Sequence, residues 1–468
     1  MNTIRLGLAL ATSLTLTACA LQAPPPAVTA AAPLQWQAPL PHNGSVQELA
    51  NWWQHQGDPL LAHWIEQAQM HSPTVAAAGT RIARSRAERS AAGAALLPTL
   101  DAAASANRMS RQSALPLGTS TQAALQAAWE IDVFGARRAS LDAAQARLAG
   151  AEANWHEARV SVAAEVANQY FSLRACQRLL DVAEQDAQSR ADTARLTALS
   201  AEAGFEAPAS AALARASAAQ GRGRAIQQGA LCDLDVKALV ALAAVPEPVL
   251  RLALENNAQA NAADNLEAPA FAISTLPAQT LSQRPDVYGA EREVAAASFD
   301  VGSAQAQRYP RLSLSGLVGA ANFRSAGSST TLTAWSIGPL ALTLPLFDGG
   351  TRRANVDAAI ARYDQAVIQY RASVRQAVRE VETALVNQAS SALRAVDAQV
   401  ALDGYRAFYV GADSRYRNGL ASLLELEEAR RTRLAAENAV VNLQRERRLA
   451  WVALYRAAGG GWTAPGTP

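Results

Sequence analysis

Apolar positions recur along this chain with three different periods. From Val356 onward, Val356, Tyr363, Tyr370, Ala377 and Ala384 repeat every seven residues. Ile360, Val367, Val374 and Val381 keep the same step on an adjoining line. A sustained heptad is the pattern of helices packed side by side in a coiled coil. It predicts a long helix over 351–415 and a return helix from about 420 to 457. The other faces carry Arg352, Arg353, Arg371, Arg375, Arg379 and Glu380, a solvated coiled-coil surface. The second period is two. Ala123, Leu125, Ala127, Trp129 and Ile131 alternate with polar or small residues, which predicts a strand with one apolar face. Strands are expected over 99–107 and 121–131 around a polar loop, and over 311–320 and 334–344 around another at 321–333. The third pattern is one uninterrupted apolar run, Leu6 to Leu16 after Arg5, which reads as a secretory signal. Beyond it no stretch of ~18 apolar residues remains, so no transmembrane helix is expected. A membrane span would have to be a β-barrel, because lipid satisfies no backbone polar group.

The second half of the chain repeats the first at an offset of 212 to 215 residues. Ser72-Pro73-Thr74-Val75 answers to Arg284-Pro285-Asp286-Val287. Leu97-Pro98-Thr99-Leu100 answers to Tyr309-Pro310-Arg311-Leu312, with the same 25-residue spacing between prolines. Phe134 to Arg138 answers to Phe347 to Arg353 with a two-residue insertion, and Gly204 answers to Gly419. A repeat of this length is one structural unit used twice. Each copy reads as a β-hairpin plus a long helical hairpin. Residues 1–18 are the signal, 19–44 a flexible Ala/Pro-rich tether, and 45–254 the first repeat, with strands within 99–131 and a helical hairpin over 135–245. Residues 255–276 are a linker and 277–457 the second repeat, opened by a helix over 278–308, with strands within 311–344 and a helical hairpin over 351–457. Residues 458–468 form a tail. The class is mainly α with a small antiparallel β part.

Composition narrows the function. The net charge of +2 offers nothing for nucleic acid. The five histidines have no metal-site spacing, and no phosphate loop or nucleophile elbow is present, so no enzyme, cofactor or metal is expected. Four strands cannot close a barrel and would leave unpaired edges, so several chains have to combine. Trp129 and Trp335 sit at matching points of the two hairpins and suit an aromatic girdle at a membrane interface or a buried place in a soluble sheet. Cys176 and Cys232 each lie 28 residues from Gly204. If that glycine turns an antiparallel helix pair, the two cysteines face each other. They are then either a disulfide, permitted in an oxidising compartment, or two buried thiols. The equal spacing favours the disulfide.

Several segments carry a resemblance. Leu16-Thr17-Ala18-Cys19 resembles a bacterial lipobox, which implies a lipid on Cys19, and Ala20 in place of Asp implies the outer membrane. An ordinary signal peptide is the alternative. Asn51-Trp52-Trp53 with Asp58-Pro59-Leu60, Arg284-Pro285-Asp286-Val287 with Ala290-Glu291-Arg292, Tyr309 to Gly316, and Leu344 to Gly350 together resemble the TolC/OprM-like outer-membrane efflux channels, or outer-membrane factors, in their NodT-type lipoprotein branch. The resemblance covers nearly the whole mature chain. It implies a homotrimer with a twelve-stranded barrel in outer-membrane lipid and a twelve-helix periplasmic tunnel. It also implies two partners, a periplasmic adaptor and an inner-membrane pump.

That family closes its tunnel near the helical turns. The implied gate is Leu424 as constriction, Glu428 as acidic residue with Arg431 as partner, and Glu425 and Tyr416 beside them, with Gly204 and Gly419 at the turn tips. Glu428 stands where the family usually has Asp, and Ala421 where one branch has a basic residue. An exposed Glu428–Arg431 helix pair without a gating role is what spacing alone favours. The first turn, Ala203 to Pro208, lacks the Leu-rich acidic cluster. The reading is a passive efflux duct for small molecules. A channel for protein secretion and a non-channel periplasmic scaffold are the alternatives.

Overall fold

The computed structural model describes residues 23–33, 36–38, 52–54, 58–109, 117–257 and 277–463. The signal, Cys19 and most of the predicted linker lie outside them. Among the described residues the order is α1 (Pro59–His71), α2 (Pro73–Ala94), β1 (Thr99–Met109), β2 (Gly118–Ile131), α3 (Ala136–Glu202), α4 (Pro208–Ala243) and α5 (Glu247–Asn256). Then follow α6 (Pro277–Ser282), α7 (Pro285–Ala306), β3 (Arg311–Ser325), β4 (Ser328–Thr343), α8 (Thr351–Arg417) and α9 (Leu423–Ala457). No described helix is long and apolar enough to cross a membrane.

Two compact units are present, and neither coincides with a sequence repeat. Of the described residues, one comprises those within 23–30, 80–152 and 289–372 and holds the sheet. The other comprises those within 31–79, 153–288 and 373–468 and holds the helical turns. Each unit draws on both repeats, because the long helices α3 and α8 each run through both.

In the first unit the strands form one antiparallel sheet in the order β1-β2-β3-β4. Leu125 pairs with Val318 and Val318 with Trp335, while Trp129 pairs with Leu314. Side chains alternate across a strand, so Leu125, Trp129, Leu314, Val318 and Trp335 share an apolar face. Gln126, Glu130 and Ser313 fall on the other. β3 and β4 are longer than expected. The segment read as a loop over 321–333 is strand on both sides of a two-residue turn at Ala326-Gly327, where φ is 49° and 84°. Positive φ at both central residues is the hairpin turn that matches strand twist. Its flanks are mostly Ser, Thr and Asn, with Phe323 and Leu332 as the large apolar side chains, too few for the alternation to register.

Both long helices start on an aspartate. Asp132 accepts from the backbone N–H of Arg137 and Arg138, at 3.1 and 2.8 Å. Asp348 accepts from Gly350 and Arg352, at 3.0 and 3.1 Å. These bonds satisfy donors that a helix start leaves open. The core of this unit sets Val294, Ala297 and Val301 of α7 against Ala359, Tyr363 and Val367 of α8. Ile360, assigned to the heptad seam, is 40% exposed, and its neighbour Ala359 is buried instead. Part of the segment read as a flexible tether is packed here. Ser298 donates to the carbonyl of Pro24, Tyr363 to that of Pro25 at 2.9 Å, and Val28 packs on the α7/α8 core.

In the second unit the core gathers Trp64, Tyr170, Leu173, Leu239, Leu250, Leu385, Val452 and Leu454. The helix expected over 278–308 is two, α6 and α7, broken at Arg284-Pro285. A proline disfavours helical backbone in the residue before it. The buried Arg284 there donates to Asp286 at 2.8 Å, Glu380 at 2.7 Å and the Ala457 carbonyl at 2.9 Å. Burial alone would lower its pKa, but the two carboxylates hold the guanidinium above its ordinary value. α5 runs to Asn256.

Candidate gate at the helical turns

Both helical hairpins turn by the same device. In the first, the N–H of Phe205 reaches back to the carbonyl of Ser200 at 2.9 Å, and Gly204 has φ 82°. In the second, the N–H of Leu420 reaches the carbonyl of Arg415 at 2.8 Å, and Gly419 has φ 72°. A six-residue back-bond around a left-handed glycine is the Schellman ending. The return helices then start differently. Pro208 sits at the first position of α4, where no N–H is needed. Ser422 caps α9, its hydroxyl accepting from the N–H of Glu425 at 3.2 Å.

The cap places the predicted gate residues. Glu428 and Arg431 pair on the exposed face of α9, one guanidinium nitrogen donating to both carboxylate oxygens at 2.7 and 2.5 Å. By hydrogen bond and charge the carboxylate holds Arg431 above its ordinary pKa. Glu425 pairs with Arg415 at 2.7 Å, so α8 supplies a cation where Ala421 offers none. Tyr416 turns inward, its hydroxyl 2.9 Å from that of Thr197 on α3, and packs on Ala194, Ala214, Leu423 and Leu426. Leu424 is 71% exposed.

Sequence reading missed a buried polar network behind these residues. Arg190 of α3 donates to Asp186 at 2.8 Å, to Ser217 of α4 at 2.5 Å and to Glu427 of α9. Ser217 donates to the same Glu427 oxygen at 2.8 Å. Arg430 donates to Glu427 at 2.9 Å and to Thr193 at 2.6 Å. Ser189, Thr193 and Thr197 lie at four-residue steps and so share one face of α3. They meet Tyr409, Arg430 and Tyr416 in turn. That hydroxyl spacing is visible in the sequence and was the available signal.

Comparison with known proteins fits this architecture. The family described as outer membrane efflux protein matches the chain twice, over residues 64–244 and 276–460. The chain belongs to this family. Among its relatives, the pyoverdine export outer membrane protein OpmQ of Pseudomonas aeruginosa is 31% identical, over 92% of this chain and 92% of that one. Nodulation protein T of Rhizobium leguminosarum bv. trifolii is 28% identical, over 88% of this chain and 87% of its own. The solved outer-membrane channel OprN superposes with a TM-score of 0.81 at 28% identity, covering 95% of this chain and 99% of that one. This outer membrane efflux protein is therefore an outer-membrane exit duct, and the apolar face shared by Trp129 and Trp335 suits lipid. Cys176 and Cys232 are joined as a disulfide between α3 and α4, with Cα atoms 5.5 Å apart.

Proposed function

We propose that the chain is the trimeric exit duct of a tripartite efflux system. It passes small molecules, such as drugs, toxic compounds or metal ions, that an inner-membrane pump delivers through a periplasmic adaptor. The observation that carries this is the sheet. It presents one apolar face, and β1 and β4 are its edges. Unpaired edges have to be closed in a membrane, and three copies give twelve strands. The lower part of α8 adds support. Val386, Leu393 and Val400, seven residues apart, are 53%, 74% and 68% exposed, a seam suited to a neighbouring copy. A lipid on Cys19 would anchor the chain four residues before the segment packed on α7 and α8. At the turns, Leu424, Glu425 and Glu428 would form three-fold apolar and acidic rings, which favour cations. Arg431 and Tyr416 would hold the rings closed until an adaptor engages the tips at Gly204 and Gly419.

The test is electron microscopy of the detergent-extracted protein. The expected image is a three-fold hollow particle with a tunnel of about 100 Å, the length of a 67-residue helix. Monomers or solid rods would rule the duct out.

A further inference from the structure

The exposed Glu428–Arg431 pair is poorly placed to hold two hairpins together. Its side chains are 52% and 75% exposed, and both lie on α9. The network behind it differs on both counts. Asp186, Arg190 and Arg430 are 1%, 7% and 1% exposed, Glu427 is 16% exposed, and the bonds join α3, α4 and α9. Solvent screens an exposed pair. Removing one member of a buried pair leaves a charge with no compensation.

Three features show that the network is built in. Gly221 of α4 leaves a notch, and a Cβ there would stand 2.9 Å from the Arg190 Cδ and 3.3 Å from the Ala187 Cα. That gap lets the Arg190 side chain lie across α4 toward Glu427. The Cys176–Cys232 disulfide ties α3 to α4, so the first hairpin holds its register while α9 moves. Beyond Leu423 and Leu426, the seam carries hydroxyls and charges: Ser189, Thr193, Thr197, Ser217, Arg190, Glu427 and Arg430. Such a seam can be rehydrated when it opens, whereas an apolar seam would resist water.

We propose that Asp186, Arg190, Glu427 and Arg430 form a latch between the two helical hairpins, with Glu427 as its releasable member. Glu427 is a positioning residue. It touches neither lumen ring in the gate reading, but it fixes α9 and thereby sets where Leu424 and Glu428 stand. The latch rests on the gate proposed above. Swinging the second hairpin away from the first requires Glu427 to leave Arg190 and Ser217 and to take up water instead.

The experiment records single channels of the full-length protein in planar bilayers and, on the same samples, backbone hydrogen exchange over residues 186–197. Glu427→Ala and Arg190→Ala are expected to raise open probability about ten-fold or more, the ratio that ~1.4 kcal/mol gives. Exchange over 186–197 should accelerate with it. The fourfold variant Asp186→Leu/Arg190→Leu/Glu427→Leu/Arg430→Leu, which leaves no lone charge among the four, should return toward wild type, because apolar side chains can refill the site that a lone charge disrupts. A merely packing role for Glu427 would not show that rescue. If Glu427→Ala fails to assemble, Glu427→Gln is read in its place, with a smaller change in the same direction. Wild-type conductance and wild-type exchange in the single variants overturn the latch. Glu428→Ala is run beside them. If it opens the pore while Glu427→Ala does not, the gate stands and the latch falls. If no sample conducts, the duct reading falls, and exchange alone decides the latch.

Discussion

The Tyr416 hydroxyl on α8 lies 2.9 Å from the Thr197 hydroxyl on α3, which ties the second helical turn to the first hairpin. The Tyr416 ring also packs on Leu423 and Leu426, so the phenol can lose its oxygen without leaving a cavity. Tyr416→Phe should therefore cost only about 1 kcal/mol of local stability, the net worth of one hydrogen bond. Hydrogen exchange over 414–422 should speed up, with global unfolding nearly unchanged. Identical exchange in both proteins would remove this tie from the account.

Glu428→Ala and Arg431→Ala test the proposed ring directly. Both side chains are exposed, so thermal stability should not move, whereas small-ion conductance without an adaptor should rise. Glu428→Ala should also reduce cation preference in reversal-potential measurements, because it removes the acidic charge. High salt should narrow the difference from wild type, as expected of screened charges. Unchanged conductance and selectivity in both variants would count against these residues as the gate.

The disulfide between Cys176 and Cys232 closes a span of 56 residues. On the chain-entropy account, such a crosslink stabilises the folded chain by up to ~4 kcal/mol. Paired Cys176→Ser and Cys232→Ser substitutions should lower the thermal midpoint of the helical part while leaving the β part intact. Separate melts followed by far-ultraviolet dichroism and by heat-modifiable gel mobility distinguish the two. Equal midpoints with and without reductant would show that the bridge adds nothing.

How far the sequence led differs from element to element. The helical turns were legible because Gly204, Gly419 and Pro208 are punctuation with a single backbone meaning. The cysteine register was legible for the same reason, since a known turn fixes what faces what. The β3–β4 hairpin was not. Its outer parts read Asn322, Ser325, Ser329 and Thr331, and an apolar alternation test passes over them although they pair throughout. Pro285 did announce the break between α6 and α7, but the periodicity of the flanks hid it. Glu427 was missed for a deeper reason. In sequence it is one of three acidic residues, with Glu425 and Glu428, and only α3 and α4 make it a buried partner.

Close approach of strands makes a prediction in the sheet. A Cβ on Gly319 would stand 2.5 Å from the Ala123 carbonyl oxygen and 2.6 Å from the Ala124 Cβ. Gly319→Val should therefore force β2 and β3 apart and prevent the β part from assembling. Gly327, at the hairpin tip, meets nothing within 4 Å, and its substitution should cost only turn strain. Resistance of the folded protein to sodium dodecyl sulfate without heating reads both. Gly319→Val that keeps full resistance would mean the strands can shift at little cost.

Glu157 gives the protein a pH dependence with a definite sign. Burial is the main cause that raises its pKa from 4.5 to about 7, and the Asp286 and Glu380 carboxylates add to it, against Arg284 and Arg456. The folded state therefore holds this proton more tightly than the unfolded chain does. The stability it contributes is complete below pH 4.5, declines as pH rises and is gone above about 7. At 1.36 kcal/mol per unit the span is at most ~3 kcal/mol, and less after screening of a side chain that is 26% exposed. Glu157→Gln keeps the neutral shape at every pH. It should match wild type near pH 4.5 and be more stable at pH 8, where wild type carries a half-buried charge. Chemical denaturation at the two pH values measures this, and a variant no more stable than wild type at pH 8 would show that the carboxylate is already well compensated by Arg284 and Arg456.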